Sequence, residues 1–526
     1  YTQQEIKDVV EYASSKYISI VPEIEGVAHV MSAIASYSHL SCSQEQIMVP
    51  SGGVWPITEI FCPGKESTFE FIENVLDEVV ELFPSKYIHI GGDEATKTNW
   101  KKCDHCQKRI ADEGLKNEEE LQSYMVKRIS KYLKTKGRYM IGWDEILEGG
   151  LAEGAVVMSW RGTEGGLEAA SMKHNVIMSP DTYWYLDHYQ GNKSEEPLAI
   201  GGYSTLNHVY SFDPIPAEMP IEDQQYVMGA QANVWTEYMP NLEHLQYMIL
   251  PRMLAVSEVL WTKPENKNWD DFSERVKFMF RRLDVLGINY SKSSYNIRSE
   301  KAINPENKQL ELKLFNEYKQ TEIRYEIGRK LPDINSPIYT KPIKITGNTR
   351  INASVFESGN IVGSVFTDSI TVFENIAKGA LVSYNNTYSP KYSSGKKFGL
   401  VDGLIGSTAF DDRYWQGWFD KDVFFDVDMQ QNKTISGLRL SFLVDRGNQI
   451  LMSRNVKIFY SKDGENYELI KEFFPTVTED NTKRKEILKV KELKLNARYF
   501  RVEVANSSNE DTGEKGWVFI DEFVVE

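Results

Sequence analysis

A chain of 526 residues, 41% of them hydrophobic, is too long for one core and predicts two to four globular domains. Its 60 Lys and Arg against 76 Asp and Glu leave a net charge of −16, which excludes a non-specific nucleic-acid binder, since that needs a basic face. No stretch approaches the roughly 18–20 apolar residues of a membrane span, and the opening YTQQEIKDVVEYA reads as an amphipathic helix, not as an export leader.

Up to about residue 297, short apolar runs alternate with amphipathic helical stretches. The runs are Tyr17–Ile24, Tyr87–Ile90, Arg138–Ile141, Ala155–Trp160, Asn175–Ser179 and Met228–Trp235, and helical periodicity fills intervals such as Phe69–Leu82 and Glu119–Thr135. Strands that alternate with helices predict parallel βαβ units. Residues able to do chemistry stand at the C-terminal end of nearly every run, which is the arrangement of a (β/α)8 TIM barrel. Only six units are legible, and closure needs eight. From about residue 300 the pattern becomes short alternating strands separated by Pro, Gly and Asn, which suits a small β-sandwich; from about residue 375 a third stretch is again all β.

The four cysteines, Cys42, Cys62, Cys103 and Cys106, lie in the first fifth of the chain. Cys103-Asp-His-Cys106 has the spacing of a redox or zinc half-site, but a second CxxC is absent. Disulfides in an exported protein, or plain thiols, are the expectation, with no metal and no cofactor.

The most informative string is His89-Ile-Gly-Gly-Asp93-Glu94, which closes an apolar strand. Neighbours in a regular strand face opposite sides, so two adjacent carboxylates reach one pocket only where the strand breaks, and Gly91-Gly92 permits the break. A helix N-cap at Asp93 is the bland alternative. Further strand ends carry Gly142-Trp143-Asp144-Glu145, Ser159-Trp160-Arg161-Gly162, Trp184-Tyr185-Leu186-Asp187 and Asn233-Val-Trp235-Thr-Glu237. One such string reads as core, but four in register at successive strand ends do not.

HIGGDE, GWDE, SWRG, YLD and VWTE, in this order and spacing, resemble glycoside hydrolase family 20, the β-N-acetylhexosaminidases, over residues 1–297. The resemblance implies an exo-acting, retaining enzyme that removes terminal β-linked GlcNAc or GalNAc from glycans, working through an oxazolinium formed by the substrate's own acetamido group. It implies Glu94 as general acid/base and Asp93 as the group that orients the acetamido N–H and favours a protonated Glu94. It further implies Tyr185 on the acetamido oxygen, Trp143, Trp160 and Trp235 as a cage for its methyl, and Asp187 and Glu237 on sugar hydroxyls. Pro22-Glu-Ile-Glu25-Gly-Val-Ala-His29 is similar to the family's PEIDMPGH segment, with Glu25 in place of Asp, and implies that His29 supports the acid/base.

By the same resemblance, an Arg that grips the sugar, an Asp that pairs with His29 and the first two barrel strands precede the segment with which this chain opens. The expectation is therefore an N-terminally incomplete barrel, completed by a separate fragment, a partner chain or a rearranged segment of this one. Export from the cytoplasm is expected as well. Residues 298–372 resemble a chitobiase-type C-terminal sandwich, and 373–526 a discoidin (coagulation-factor type C) sandwich, which implies a sugar-binding module. Tyr414, Trp415 and Trp418 are candidates for a stacking platform there, but Trp-x-x-Trp favours core. By the same analogy Asp402 and Glu522 are candidates for a calcium site. The competing readings are a disaccharide-releasing member of the same family and an inactive glycan-binding protein with a truncated barrel.

Overall fold

The computed structural model describes residues 1–52, 56–319, 321–476, 481–506 and 515–526. The chain divides into two compact units, Tyr1–Ser294 and Tyr295–Glu526.

The first unit is built on a parallel sheet of β1 (Tyr87–His89), β2 (Tyr139–Trp143), β3 (Val156–Ser159), β4 (Val176–Met178) and β5 (Val227–Ala230), paired in that order. Because the spatial order is the chain order, every crossover steps the same way round, and all five strands end on one edge. Val156, Val157, Met158 and Ser159 of β3 are all buried, which is why these strands read as continuous apolar runs and not as alternation. Helices fill the crossovers. In Glu66–Leu82 the buried residues Phe69, Ile72, Leu76 and Val79 recur at three- and four-residue steps, one face of a helix. Glu118–Thr135 starts at Asn117, whose side chain accepts from the Glu120 N–H at 3.0 Å, and carries three Glu in its first turn against the positive helix end. Within the described residues, no helix is long and apolar enough to cross a membrane.

Two of the expected strands are corrected. Tyr17–Ile24 is not a regular strand; it touches the sheet through one parallel bridge, Glu23 to His89, with the Ile24 N–H donating to the His89 carbonyl at 2.9 Å. Met228–Trp235 is a strand only to Ala230; beyond it the chain is irregular and Asn233 bridges Tyr185. The outer edges of Pro22–Ile24 and of β5 pair with no strand among the described residues. Tyr17, Ile18, Val21, Met228 and Trp235 are accordingly exposed.

The second unit is all β. Its strands are β6 (Arg298–Ile303), β7 (Leu310–Phe315), β8 (Glu322–Ile327), β9 (Ile343–Lys344), β10 (Thr349–Glu357) and β11 (Asn360–Ile370), in two three-stranded sheets ordered β6-β7-β9 and β11-β10-β8. Then follow β12 (Leu381–Tyr384), β13 (Gln416–Phe419), β14 (Val423–Ile435), β15 (Leu438–Val444), β16 (Val456–Ser461), β17 (Glu468–Phe473), β18 (Arg484–Val490), β19 (Leu495–Val504) and β20 (Trp517–Val525). These form sheets ordered β12-β14-β19-β16-β17 and β13-β20-β15-β18. Strands up to 370 and strands from 381 share no sheet. Trp415 and Trp418 are buried, so they are core, as the sequence favoured. The buried Glu522 carboxylate accepts from the Asn375 amide at 2.6 Å and from the Gly403 N–H at 2.9 Å, tying two loops to β20.

Candidate active site

Trp143 closes β2, and the other candidate residues of this unit lie in segments beyond the C-terminal edge of the parallel sheet. After β1 the backbone turns left-handed at Gly91 (φ 65°), Gly92 (φ 103°) and Glu94 (φ 53°). No helix begins at Asp93, so the N-cap alternative is set aside. Gly91 favours glycine because its φ strains any L side chain, and a Cβ there would also lie 1.8 Å from Glu25 Oε2 and push that carboxyl aside. The Gly91 carbonyl accepts from the Trp143 N–H at 3.0 Å and the Gly92 carbonyl from the Gln122 amide at 2.8 Å, which holds the turn against its neighbours.

That turn lets adjacent carboxylates face one imidazole. His29 Nε2 lies 3.3 Å from Asp93 Oδ2 and 3.2 Å from Glu94 Oε2. Its hydrogen bond to Asp93 raises the His29 pKa, with partial burial opposing and the charges of Asp93 and Glu94 reinforcing. The Glu25 carboxyl is pushed up to about 10, first by burial and then by the charges of Asp93 and Glu23, so it is a neutral acid at pH 7.

An aromatic wall stands beside this pair. Trp143 is buried and its indole N–H donates to Glu23 Oε1 at 2.9 Å; its ring lies 6.1 Å from that of Trp235. The Trp160 ring stacks on Tyr185 at 6.3 Å, and its N–H donates to Glu145 Oε2 at 3.0 Å. Trp235 is more exposed than a closed cage requires, because it lies on the open β5 side. The Tyr185–Asn233 bridge, with the Leu186 N–H donating to the Asn233 carbonyl at 2.8 Å, brings the Tyr185–Asp187 string against the Trp235–Glu237 string. Burial pushes the Tyr185 phenol up, with a hydrogen bond from Trp235 opposing, and moves the Asp187 carboxyl up to about 6. Glu237 is exposed at the rim, close enough for its charge to be felt at Asp187.

The sequence assigned no role to several residues that belong to this constellation. Burial raises Glu145 to about 7, and the Trp160 hydrogen bond opposes the shift. Asp144 is buried and accepts from the Trp160 N–H at 2.9 Å and from Arg161 Nε at 2.5 Å, fixing that turn. Arg252 is buried and donates to the carbonyls of Leu186 and Met248 at 2.6 Å and of Ser204 at 2.9 Å, which holds the Asp187 loop. Glu145, Asp144 and Arg161 stand inside the strand-end strings, so the signal was present; nothing local marks Arg252. Asp93 Oδ1, Glu25 Oε2, Asp187 Oδ1 and His89 Nε2 are buried and find no hydrogen-bond partner among the described residues. Buried polar atoms are normally paired. Asp93 and Glu25 lie close enough for one to feel the other's charge, and their orphaned oxygens mark a place for a polar ligand.

Of the two expectations for the cysteines, the structure has plain thiols and not disulfides. All four are free thiols, and their sulfurs gather within 4.8 Å of one another. The CxxC found its partners in two other loops and not in a second CxxC.

Paired acids, a supporting imidazole and an aromatic wall on the C-terminal edge of a parallel βα sheet define a site of the glycoside hydrolase class. Residues 1–264 match the model described as glycosyl hydrolase family 20, catalytic domain, and the chain belongs to that family. Residues 384–523 match the F5/8 type C domain. Residues 312–370, compared above with a chitobiase-type sandwich, match the Fn3-associated model. The chain is 50% identical over 292 residues to a beta-hexosaminidase of Porphyromonas gingivalis, covering 55% of this chain and 37% of that one. It is 32% identical over 261 residues to a beta-hexosaminidase of Vibrio furnissii, covering 49% and 43%. It thus spans less than half the length of these two relatives. Among solved structures, a beta-N-acetylhexosaminidase from Bacteroides fragilis matches with a TM-score of 0.48 and 30% identity, covering 55% of this chain and 58% of that one.

Proposed function

We propose that this chain carries the catalytic residues of an exo-acting, retaining β-N-acetylhexosaminidase that uses the substrate's acetamido group as nucleophile. The observation that carries the reading is the adjacent Asp93–Glu94 pair sharing one imidazole, with the aromatic wall beside it. Two-carboxylate retaining enzymes need the second carboxylate across the sugar, about 5–5.5 Å from the first, which adjacent residues hardly supply. The nucleophile then has to come from the substrate.

In this reading Glu94 protonates the glycosidic oxygen and later takes a proton from water, while His29 holds its carboxylate in place. Asp93 Oδ1 receives the acetamido N–H and its charge offsets the positive charge growing on the oxazolinium. Tyr185 donates to the acetamido oxygen, Trp143, Trp160 and Trp235 enclose the methyl, and Asp187 and Glu237 take hydroxyls. No cofactor is called for. The open edges of Pro22–Ile24 and β5 support a (β/α)8 barrel of which the described residues supply only part. The terminal N-acetylhexosamine substrate and the F5/8 type C match, a module class that often holds glycans, fit a protein exported to where glycans are exposed.

The test compares an aryl β-N-acetylglucosaminide with the matching β-glucoside. Hydrolysis of the first alone is expected, and comparable turnover of both refutes substrate assistance and the methyl cage together.

A further inference from the structure

We propose that Cys42, Cys62, Cys103 and Cys106 bind one structural zinc ion. Cys106 Sγ lies 3.6 Å from Cys42 Sγ and 3.6 Å from Cys62 Sγ, and Cys62 Sγ lies 3.8 Å from Cys103 Sγ. A Zn–S bond of about 2.3 Å in a tetrahedron gives a sulfur–sulfur edge of roughly 3.8 Å. Cys62 and Cys106 each have two near-equal sulfur neighbours, so the four form one connected cluster around a common centre and not two isolated pairs.

The surroundings suit thiolates. Cys103 is the N-cap of the helix Asp104–Asp112 and Cys106 sits in its first turn, where the positive helix end lowers the cost of a sulfur anion. Lys65 places its ammonium on the carbonyls of His39, at 3.0 Å, and Ser41, at 2.7 Å, next to Cys42. The loops Cys62–Lys65 and Cys103–Cys106 nest so closely that a Cβ at Gly64 would lie 2.3 Å from the His105 carbonyl carbon. Three of the four cysteines are buried, and a set of four deprotonated ligands with no open position is the pattern of a structural site.

The position gives the ion a task. Cys42 follows the segment that carries His29, and Cys103 follows the segment that carries Asp93 and Glu94. The loop that carries Cys62 bridges them: the Cys62 N–H donates to the Leu40 carbonyl at 2.8 Å, the Thr96 N–H to Ile57 at 3.1 Å, and the Trp100 indole to Phe61 at 2.8 Å. Zinc binding adds folding free energy where the fold lacks it, and here it ties the imidazole loop to the acid loop.

The test measures metal and thiols on the full chain, exported and purified without reductant or chelator. The expected result is close to one zinc per chain by elemental analysis, with four thiols titrating after denaturation in the presence of a chelator. Cobalt added in place of zinc should give the intense visible bands of a tetrahedral thiolate site. The double variant Cys103→Ser/Cys106→Ser should lose the metal and melt earlier. Absence of zinc together with fewer than four free thiols overturns the proposal in favour of disulfides. Iron in place of zinc, or zinc retained by the folded double variant, overturns it equally. If the variant does not fold, the cobalt spectrum of the parent chain decides. None of these readouts depends on hydrolytic activity.

Discussion

Asp93→Asn is the sharpest perturbation of the proposed mechanism. It keeps the size of the side chain and removes the charge. In the structure Asp93 divides its work: Oδ2 faces His29 at 3.3 Å, and Oδ1 is buried with no partner among the described residues. A carboxylate about 4 Å from a growing positive charge, at an effective dielectric of about 20, is worth roughly 4 kcal/mol. A hydrogen bond to a charged group adds about 1.5–3 kcal/mol when that charge is present. These terms overlap, and Asn keeps one acceptor, so the expected fall in kcat is about 10²–10³-fold, roughly 3–4 kcal/mol, with little change in KM. Initial rates on an aryl N-acetylglucosaminide give the kinetics. A second readout is independent of turnover. The His29 pKa is raised chiefly by its hydrogen bond to Asp93, so NMR titration should find it lower in the variant. A fall in kcat below about fivefold, with the His29 titration unmoved, refutes the role given to Asp93.

Glu94→Gln should cost about 10²–10⁴-fold on a substrate with a poor leaving group and much less on one that needs no protonation; equal losses on both would remove Glu94 from the acid role. Glu25 gives a pH prediction. Its folded pKa of about 10 stands above the ordinary 4.5, so between those values the native state holds one proton more than the unfolded chain, and its contribution to stability falls as pH rises, by about 1.4 kcal/mol per unit. Glu25→Gln should therefore melt above the parent by a margin that widens from about pH 5 to about pH 9, and parallel melting curves would contradict the burial argument. The open sheet edges predict that the chain self-associates at high concentration, and that extending it by two βα units gives a monomer with higher kcat/KM; a monomeric, fully active chain by light scattering and kinetics would refute barrel completion.

The elements that the sequence made legible are those whose environment is uniform. β1 to β4 are buried between neighbours on both sides, so their apolar runs matched the strands within a residue or two. Tyr17–Ile24 has the same composition but only one neighbour; without a partner its ladder shrinks to the Glu23–His89 bridge, and Tyr17, Ile18 and Val21 stay in solvent. Met228–Trp235 fails in the same way past Ala230. Both misreadings fall at the two open edges. The gathering of the four cysteines was illegible for a different reason. Sequence spacing reports ligand sets only when they lie on one loop, and here the Trp100 indole and the Cys62 and Thr96 N–H bonds bring three loops together.

The catalytic strings were legible because they break local rules. Two adjacent acids after two glycines cost the chain a left-handed turn, and the structure shows that cost at Glu94 (φ 53°), which is not glycine, and again at His29 (φ 55°). Orphaned buried atoms at Asp93 and Glu25 add desolvation cost beside that turn. The fold could remove both costs by substituting neutral residues and regular strand ends. Where strain and unpaired polarity coincide, the missing partner is a ligand. What the sequence could not convey is the charge state of Glu25, which only burial, with the charges of Asp93 and Glu23, makes a neutral acid. Any substitution that opens the Pro22–Ile24 side to water should therefore change the pH dependence of this site before it changes the fold.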